Sequence, residues 1–154
     1  AHFKYIHGAG DVPDYEFDWG DGGPERGARL FVNLGTPRGV VKGEIAYRSV
    51  GPGQSYTRFT GICETVLISC ITPVEKDHAV ARFCFTQPKA QKDGPQGGAA
   101  KAIIKDICKQ FDQDKVVWDR QKYLPDALVC DGDGPIGKFR KWYSQFYVDE
   151  KVDI

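Results

Sequence analysis

Apolar side chains recur along this chain in two rhythms. Between Arg29 and Gln87 they alternate, or run in short blocks rich in Val, Ile, Thr, Phe and Tyr, as strand residues do. The pattern predicts strands over Arg29–Leu34 and Val40–Val50, separated by a turn at Thr36–Gly39. A second turn is expected at Gly51–Gln54 (GPGQ). Ser55–Val74 is expected either as one long bent strand or as two, with Gly61 as the kink. Glu75–Asp77 turns the chain and His78–Gln87 returns as a further strand. Pro88–Gly98 is a polar, Gly-rich connection. Upstream, Ala1–His7 reads as the last turns of a helix stopped by Gly8 and Gly10, and Gly10–Gly27 as a loop, a candidate lid.

The rhythm then changes. In Lys101–Gln121 the residues Ile104, Ile107, Phe111 and Trp118 stand three, four and seven apart, which predicts one amphipathic helix. At ~100° per residue they share one sector of its surface, and Asp114 lies in that sector between Phe111 and Trp118. Asp106, Asp112 and Asp119 point elsewhere. Downstream, Tyr123–Leu128 contains Pro125, Asp131–Pro135 (DGDGP) is a turn, and Lys138–Val148 is an aromatic amphipathic segment read as a packing element. Antiparallel strands followed by one long helix make an α+β layout. A sheet curled around that helix would leave a cavity lined by the Asp114 stripe.

A carboxylate on a buried helix face costs several kcal/mol unless something compensates it. Snorkelling, a cap or an arginine partner would do so, and so would a metal. Composition narrows the functional classes. The 154 residues carry 21 Lys+Arg against 21 Asp+Glu, so no net field recruits nucleic acid or an anionic membrane. No apolar run reaches the length of a membrane span, and no signal-peptide pattern opens the chain. Five cysteines (Cys63, Cys70, Cys84, Cys108 and Cys130) without a CxxC pair are expected as reduced, buried thiols in a cytoplasmic protein. There is no methionine and the chain opens mid-pattern, so it is read as a C-terminal fragment.

His2 and His7 are five residues apart and would diverge by ~140° on a regular helix. A widened or broken turn before Gly8 lets them converge. Two imidazoles and a carboxylate form the facial triad that holds non-haem Fe(II) with open positions; two histidines in core or surface roles are the alternative.

HFKYIH followed by Gly8 resembles the His-x4-His iron motif of Rieske non-haem iron oxygenases, and FDQDKVVWDRQ the helix that supplies their third ligand. EIAYRSVGPG and FRKWYSQFYV are similar to the branch of 3-ketosteroid 9α-monooxygenase oxygenase components, and more distantly to cholesterol 7-desaturases. The resemblance extends over nearly all of residues 1–154. It implies a helix-grip (START/Bet v1-like) catalytic domain, with His2, His7 and Asp114 as ligands of a mononuclear Fe(II). It also implies Phe111 and Trp118 as walls of a steroid pocket, and O2-dependent hydroxylation with no catalytic residue beyond the metal ligands. Electrons would come from NADH through a ferredoxin-type reductase and a Rieske [2Fe-2S] cluster, and the intact protein would be a homotrimer.

The cluster's CxH and CxxH motifs do not occur here, since none of the five cysteines has a histidine two or three residues on. The family's bridging Asp would precede Ala1. The chain is therefore expected to bind iron and substrate but not to turn over alone. A non-catalytic sterol- or lipid-binding helix-grip module is the competing class. His78 is expected as a solvent-side turn residue, Cys108 as a buried inert thiol, and DGDG and GPGQ as turns rather than calcium or phosphate loops.

Overall fold

The computed structural model describes residues 15–36, 39–76, 78–89, 97–126, 128, 129, 133 and 135–148. The chain divides into two compact units, residues 1–109 and 110–154, with the boundary inside a helix.

The first unit is built on a six-stranded antiparallel sheet in which every strand pairs with its neighbours in sequence. The strands are β1 Tyr15–Asp18, β2 Glu25–Thr36, β3 Gly39–Val50, β4 Gln54–Phe59, β5 Thr65–Glu75 and β6 His78–Thr86. The long apolar stretch around Gly61 is therefore two strands rather than one. The reason is steric. Gly61 takes φ +112°, and a Cβ there would sit 3.0 Å from the backbone of both Gly43 and Lys42. A Cβ on Gly43 would in turn meet Thr60 O at 2.7 Å. Two backbones touch at this corner, and Thr60 N donates to Glu44 O to hold it there (2.9 Å).

The Gly10–Gly27 expectation is corrected. Its described part contains β1 and the start of β2, joined by a turn with positive φ at Gly20 and Gly22. Glycines, prolines and aspartates set the composition of that stretch and mask Tyr15–Asp18, four residues that pair with Gly27–Leu30. The Ala1–His7 helix end lies outside the described residues.

Register assigns the two faces. One face carries the row Leu30, Ile45, Phe59, Thr65 and the row Tyr47, Thr57, Leu67, Phe85. Leu30, Val32, Thr65 and Leu67 are buried there. The opposite face carries Arg29, Arg48, Tyr56 and Arg58, largely solvated, as one side of an antiparallel sheet commonly is.

Helix α1 runs Gly97–Trp118, so it starts about one turn before the expected Lys101 and stops short of the expected Gln121. Its first two residues are glycines, poor helix formers whose place in the helix depends on tertiary contacts. At the far end, Asp119, Arg120 and Gln121 continue as turn hydrogen bonds to Lys115 O, Val117 O and Trp118 O. Gly97, Ala100 and Ile107 are its buried residues.

In the second unit, helix α2 (Ile136–Tyr143) and a 3₁₀ turn (Ser144–Phe146) form the predicted aromatic segment. Trp142 is buried, with Phe146 edge-on at 5.0 Å and Phe139 at 6.0 Å between ring centroids. Arg140 ties the segment to the stretch before it, donating to Pro125 O at 2.7 Å and lying over the Tyr123 ring at 4.9 Å.

Among the four described cysteines the expected burial holds for Cys63 alone, and Cys130 lies outside the described residues. Cys84 and Cys108 are exposed and Cys70 is half-buried. Cys108 sits one position round the helix from buried Ile107, enough to turn it out to solvent. His78 is exposed, as expected, at the start of β6.

Candidate metal centre

Helix α1 delivers three of the five expected site residues. Phe111 and Trp118 are two turns apart, so their rings come together, with centroids 6.2 Å apart and an interplanar angle of 46°. Asp114 falls between them in sequence and on the same side of the helix. Its burial is corrected in degree. Asp114 and Phe111 are half-buried and Trp118 is 47% exposed, so the stripe opens to solvent towards its end.

Asp114 has no compensating group among the described residues, where it forms no hydrogen bond and no ion pair. The adjacent cation, Lys115, is engaged elsewhere. Its Nζ donates to Asp119 Oδ2 at 2.7 Å, which raises the Lys115 pKa above the ordinary lysine value. Among the described residues, therefore, neither a cation nor a cap settles this carboxylate. A half-buried anionic oxygen with spare acceptor capacity suits a hard or borderline divalent metal such as Fe(II). His2 and His7 lie outside the described residues. Among the described residues, no three His, Cys, Asp or Glu side chains converge as a metal site.

A concavity among the described residues lies elsewhere. It encloses about 480 Å³ on the solvated side of the sheet, around Arg29, Arg48, Tyr56 and Arg58. Gly27 and Ala46, two of the smallest side chains, form part of its floor. Each arginine already has a carboxylate: Arg29 pairs with Glu44 at 3.2 Å, Arg48 with Glu25 at 3.1 Å, and Arg58 with Glu64. Exposed pairs of this kind contribute little to stability, and they leave no uncompensated charge to attract an anion. Phe111, Asp114 and Trp118 do not line this hollow.

One buried feature escaped the sequence reading. Gln87, just past β6, donates from Nε2 to Thr65 Oγ1 (2.8 Å) and to Ala100 O (3.0 Å). A lone glutamine before a Pro-Gly connection carries no periodic signal, so only the fold could identify it.

Residues 1–147 match the family described as the 3-ketosteroid 9α-hydroxylase C-terminal domain. The chain is 30% identical, over 97% of its length, to a 3-ketosteroid-9-alpha-monooxygenase oxygenase component of Mycolicibacterium smegmatis, covering 42% of that protein. It is 32% identical over 71% of its length to a cholesterol 7-desaturase of Xenopus laevis, covering 24% of it. It is also 35% identical over 56% of its length to a 3-ketosteroid-9-alpha-monooxygenase oxygenase component of Rhodococcus rhodochrous, covering 22% of it. The chain thus spans between about a fifth and two fifths of the length of these relatives.

Proposed function

The chain belongs to the 3-ketosteroid 9α-hydroxylase C-terminal domain family, and from that premise we propose that it is the substrate-oxidising part of a steroid monooxygenase. The reaction is O2-dependent hydroxylation of a steroid C–H bond at a mononuclear non-haem Fe(II), with a 3-ketosteroid attacked at C9 as the leading substrate. The observation that carries this reading is Asp114: a half-buried carboxylate, unpaired among the described residues, framed by two aromatic rings on one helix.

His2, His7 and Asp114 would hold the iron, and two nitrogens and one oxygen on one face suit Fe(II) while leaving positions open. When bound, the metal supplies the oxygen-activating chemistry. The protein's own share is to position and to exclude water. Phe111 and Trp118 offer flat apolar faces to a flat ring system and fix which carbon is presented. A steroid lying on the apolar stripe would itself displace water from it.

We extend the reading to the helix-grip arrangement, which an antiparallel meander followed by one long helix supports. It also includes a Rieske [2Fe-2S] domain, an NADH-dependent ferredoxin-type reductase as electron source, and a trimeric full-length protein. Among the described residues no helix is long and apolar enough to cross a membrane.

The test is to load the anaerobic protein with Fe(II), add nitric oxide and record EPR spectra for wild type and Asp114→Ala. A high-spin iron–nitrosyl signal in the wild type that is lost in the variant, with the circular dichroism of both unchanged, is the expected result. A folded wild type that gives no signal overturns the iron assignment and leaves a metal-free sterol-binding module as the better account. Equal retention of a fluorescent steroid with and without iron would confirm that module.

A further inference from the structure

The arginines of the solvated sheet face are not all alike. Arg29, Arg48 and Arg58 each have a carboxylate, whereas Arg82 forms no ion pair among the described residues. Register puts Arg82 on that face. Gln54 stands beside Cys70 and Cys70 beside Arg82, in the row next to Tyr56, Ile68 and Cys84. Cys70 is therefore directly across from Arg82, and Cys84 is two residues along the same strand on the same side. The other neighbours of Arg82 on this face are Ile68, Thr72 and Val80, none of them acidic. One exposed cation thus adjoins two free thiols.

The two thiols differ in access. Cys84 is exposed and Cys70 half-buried. Strand β6 is the last in the sheet order, so among the described residues Cys84 has a neighbouring strand on one side only. Thiol–disulfide exchange depends on such access to the attacking sulfur. Geometry also opposes an internal bridge. Cysteines placed diagonally across a ladder have Cα atoms roughly 7–8 Å apart, whereas bridged pairs lie at about 4.4–6.8 Å. An adduct on Cys84 is therefore not resolved by Cys70.

We propose that Cys84 is a site of reversible S-thiolation, selective for anionic low-molecular-weight disulfides and steered by Arg82. The Cys84 thiolate attacks one sulfur of the disulfide. A new S–S bond forms as the old one breaks, and the other half leaves as a thiolate. The protein sulfur is oxidised, the leaving half is reduced, and the thiol proton passes to solvent. An external thiol reverses the step. The guanidinium, with no carboxylate of its own among the described residues, attracts the negative groups of the reagent. Nothing in this chemistry calls on Asp114 or on iron.

The test uses the reduced 154-residue chain and three reagents: the dianionic aromatic disulfide DTNB, oxidised glutathione, and uncharged dithiodipyridine. Peptide mass spectrometry reads the labelling rate at each cysteine in wild type and in Arg82→Gln. Cys84 is expected to react before Cys70 and to end as a mixed disulfide. Arg82→Gln should slow both anionic reagents at Cys84 about threefold to tenfold, the scale of one charge acting on a dianion across several ångströms of water. It should leave dithiodipyridine at Cys84, and every reagent at the exposed Cys108, nearly unchanged. A second measurement needs no variant: about 1 M salt, where the screening length is about 3 Å, should remove the same advantage from wild type. Equal slowing of charged and uncharged reagents overturns the proposal, and so does no slowing of either. A faster Cys70, or a Cys70–Cys84 disulfide as the product, overturns it as well.

Discussion

Strand β5 has two halves with opposite fates. From Thr65 to Cys70 its residues alternate between buried and half-buried; from Ile71 to Glu75 all five are exposed. Composition does not separate them, since Thr-Val-Leu-Ile and Ile-Thr-Pro-Val are similarly apolar and similarly β-branched. The neighbour does. Strand β4 ends where Gln54 meets Cys70, and Gly53 O takes one last hydrogen bond from Ile71 N at 2.7 Å. Past that point β5 has only β6 beside it, and an isolated two-stranded ribbon has no core to bury its side chains in. Leu67 is 4% exposed and Ile71 51%, four residues apart on one strand and on one face. Burial here is set by the length of the adjoining strand, not by the residue's own hydrophobicity.

The sharpest way to break that contrast is to truncate both halves. Leu67→Ala is expected to cost about 2–5 kcal/mol, the range for a buried leucine, and Ile71→Ala about 0.5 kcal/mol or less, as for a surface change. Urea denaturation of the two variants would give the ratio, and equal losses would mean the projecting hairpin is covered in solution. Next in size, Gly43→Ala forces a methyl group against Thr60 O and Leu34 Cδ1, at 2.7 and 2.9 Å, and should cost about 1–3 kcal/mol by overpacking.

Hydrogen exchange sharpens the comparison without mutation. The inter-strand amides of Ile71–Glu75 should exchange at least about tenfold faster than those of Thr65–Cys70, because the ribbon can open locally while the sheet stays closed. The smallest effect expected is alkaline. The Asp119 carboxylate raises the Lys115 pKa, so this pair's contribution is fully present below the ordinary lysine value of 10.5 and fades as pH climbs beyond it. Lys115 is fully exposed, so Lys115→Met should leave the thermal midpoint at neutral pH within error.

Much of this fold is legible in the sequence because its signals are periodic. The alternation in Val40–Val50, the GPGQ turn and the stripe of Ile104, Ile107 and Phe111 are local patterns that the structure follows. What was illegible depends on partners distant in sequence. Strand β1 is strand-like only because Gly27–Leu30 lies beside it, and Cys108 is exposed by one position of helix phase. Gln87 finds its hydrogen-bond partners in Thr65 and Ala100, 22 and 13 residues away. The candidate site divides in the same way. Asp114 could be identified from its place on an apolar stripe, and its framing by Phe111 and Trp118 follows from their spacing. How far that stripe is exposed could not be read from spacing, because exposure depends on what packs against the helix.

The strand order has a consequence for how the molecule comes into being. Each strand from β2 to β6 pairs with the one synthesised just before it, so no ladder has to wait for a distant segment. Closing short loops between sequence neighbours is entropically cheap and fast compared with the long-range pairing of parallel sheets. On the ribosome the sheet can therefore lengthen hairpin by hairpin as the chain emerges, β1 first and β6 last. The amide of Gln87 leaves the exit tunnel just after the threonine it will bind and before the helix carbonyl it will hold. The sheet can thus be paired before all of the helix that carries Asp114 has emerged.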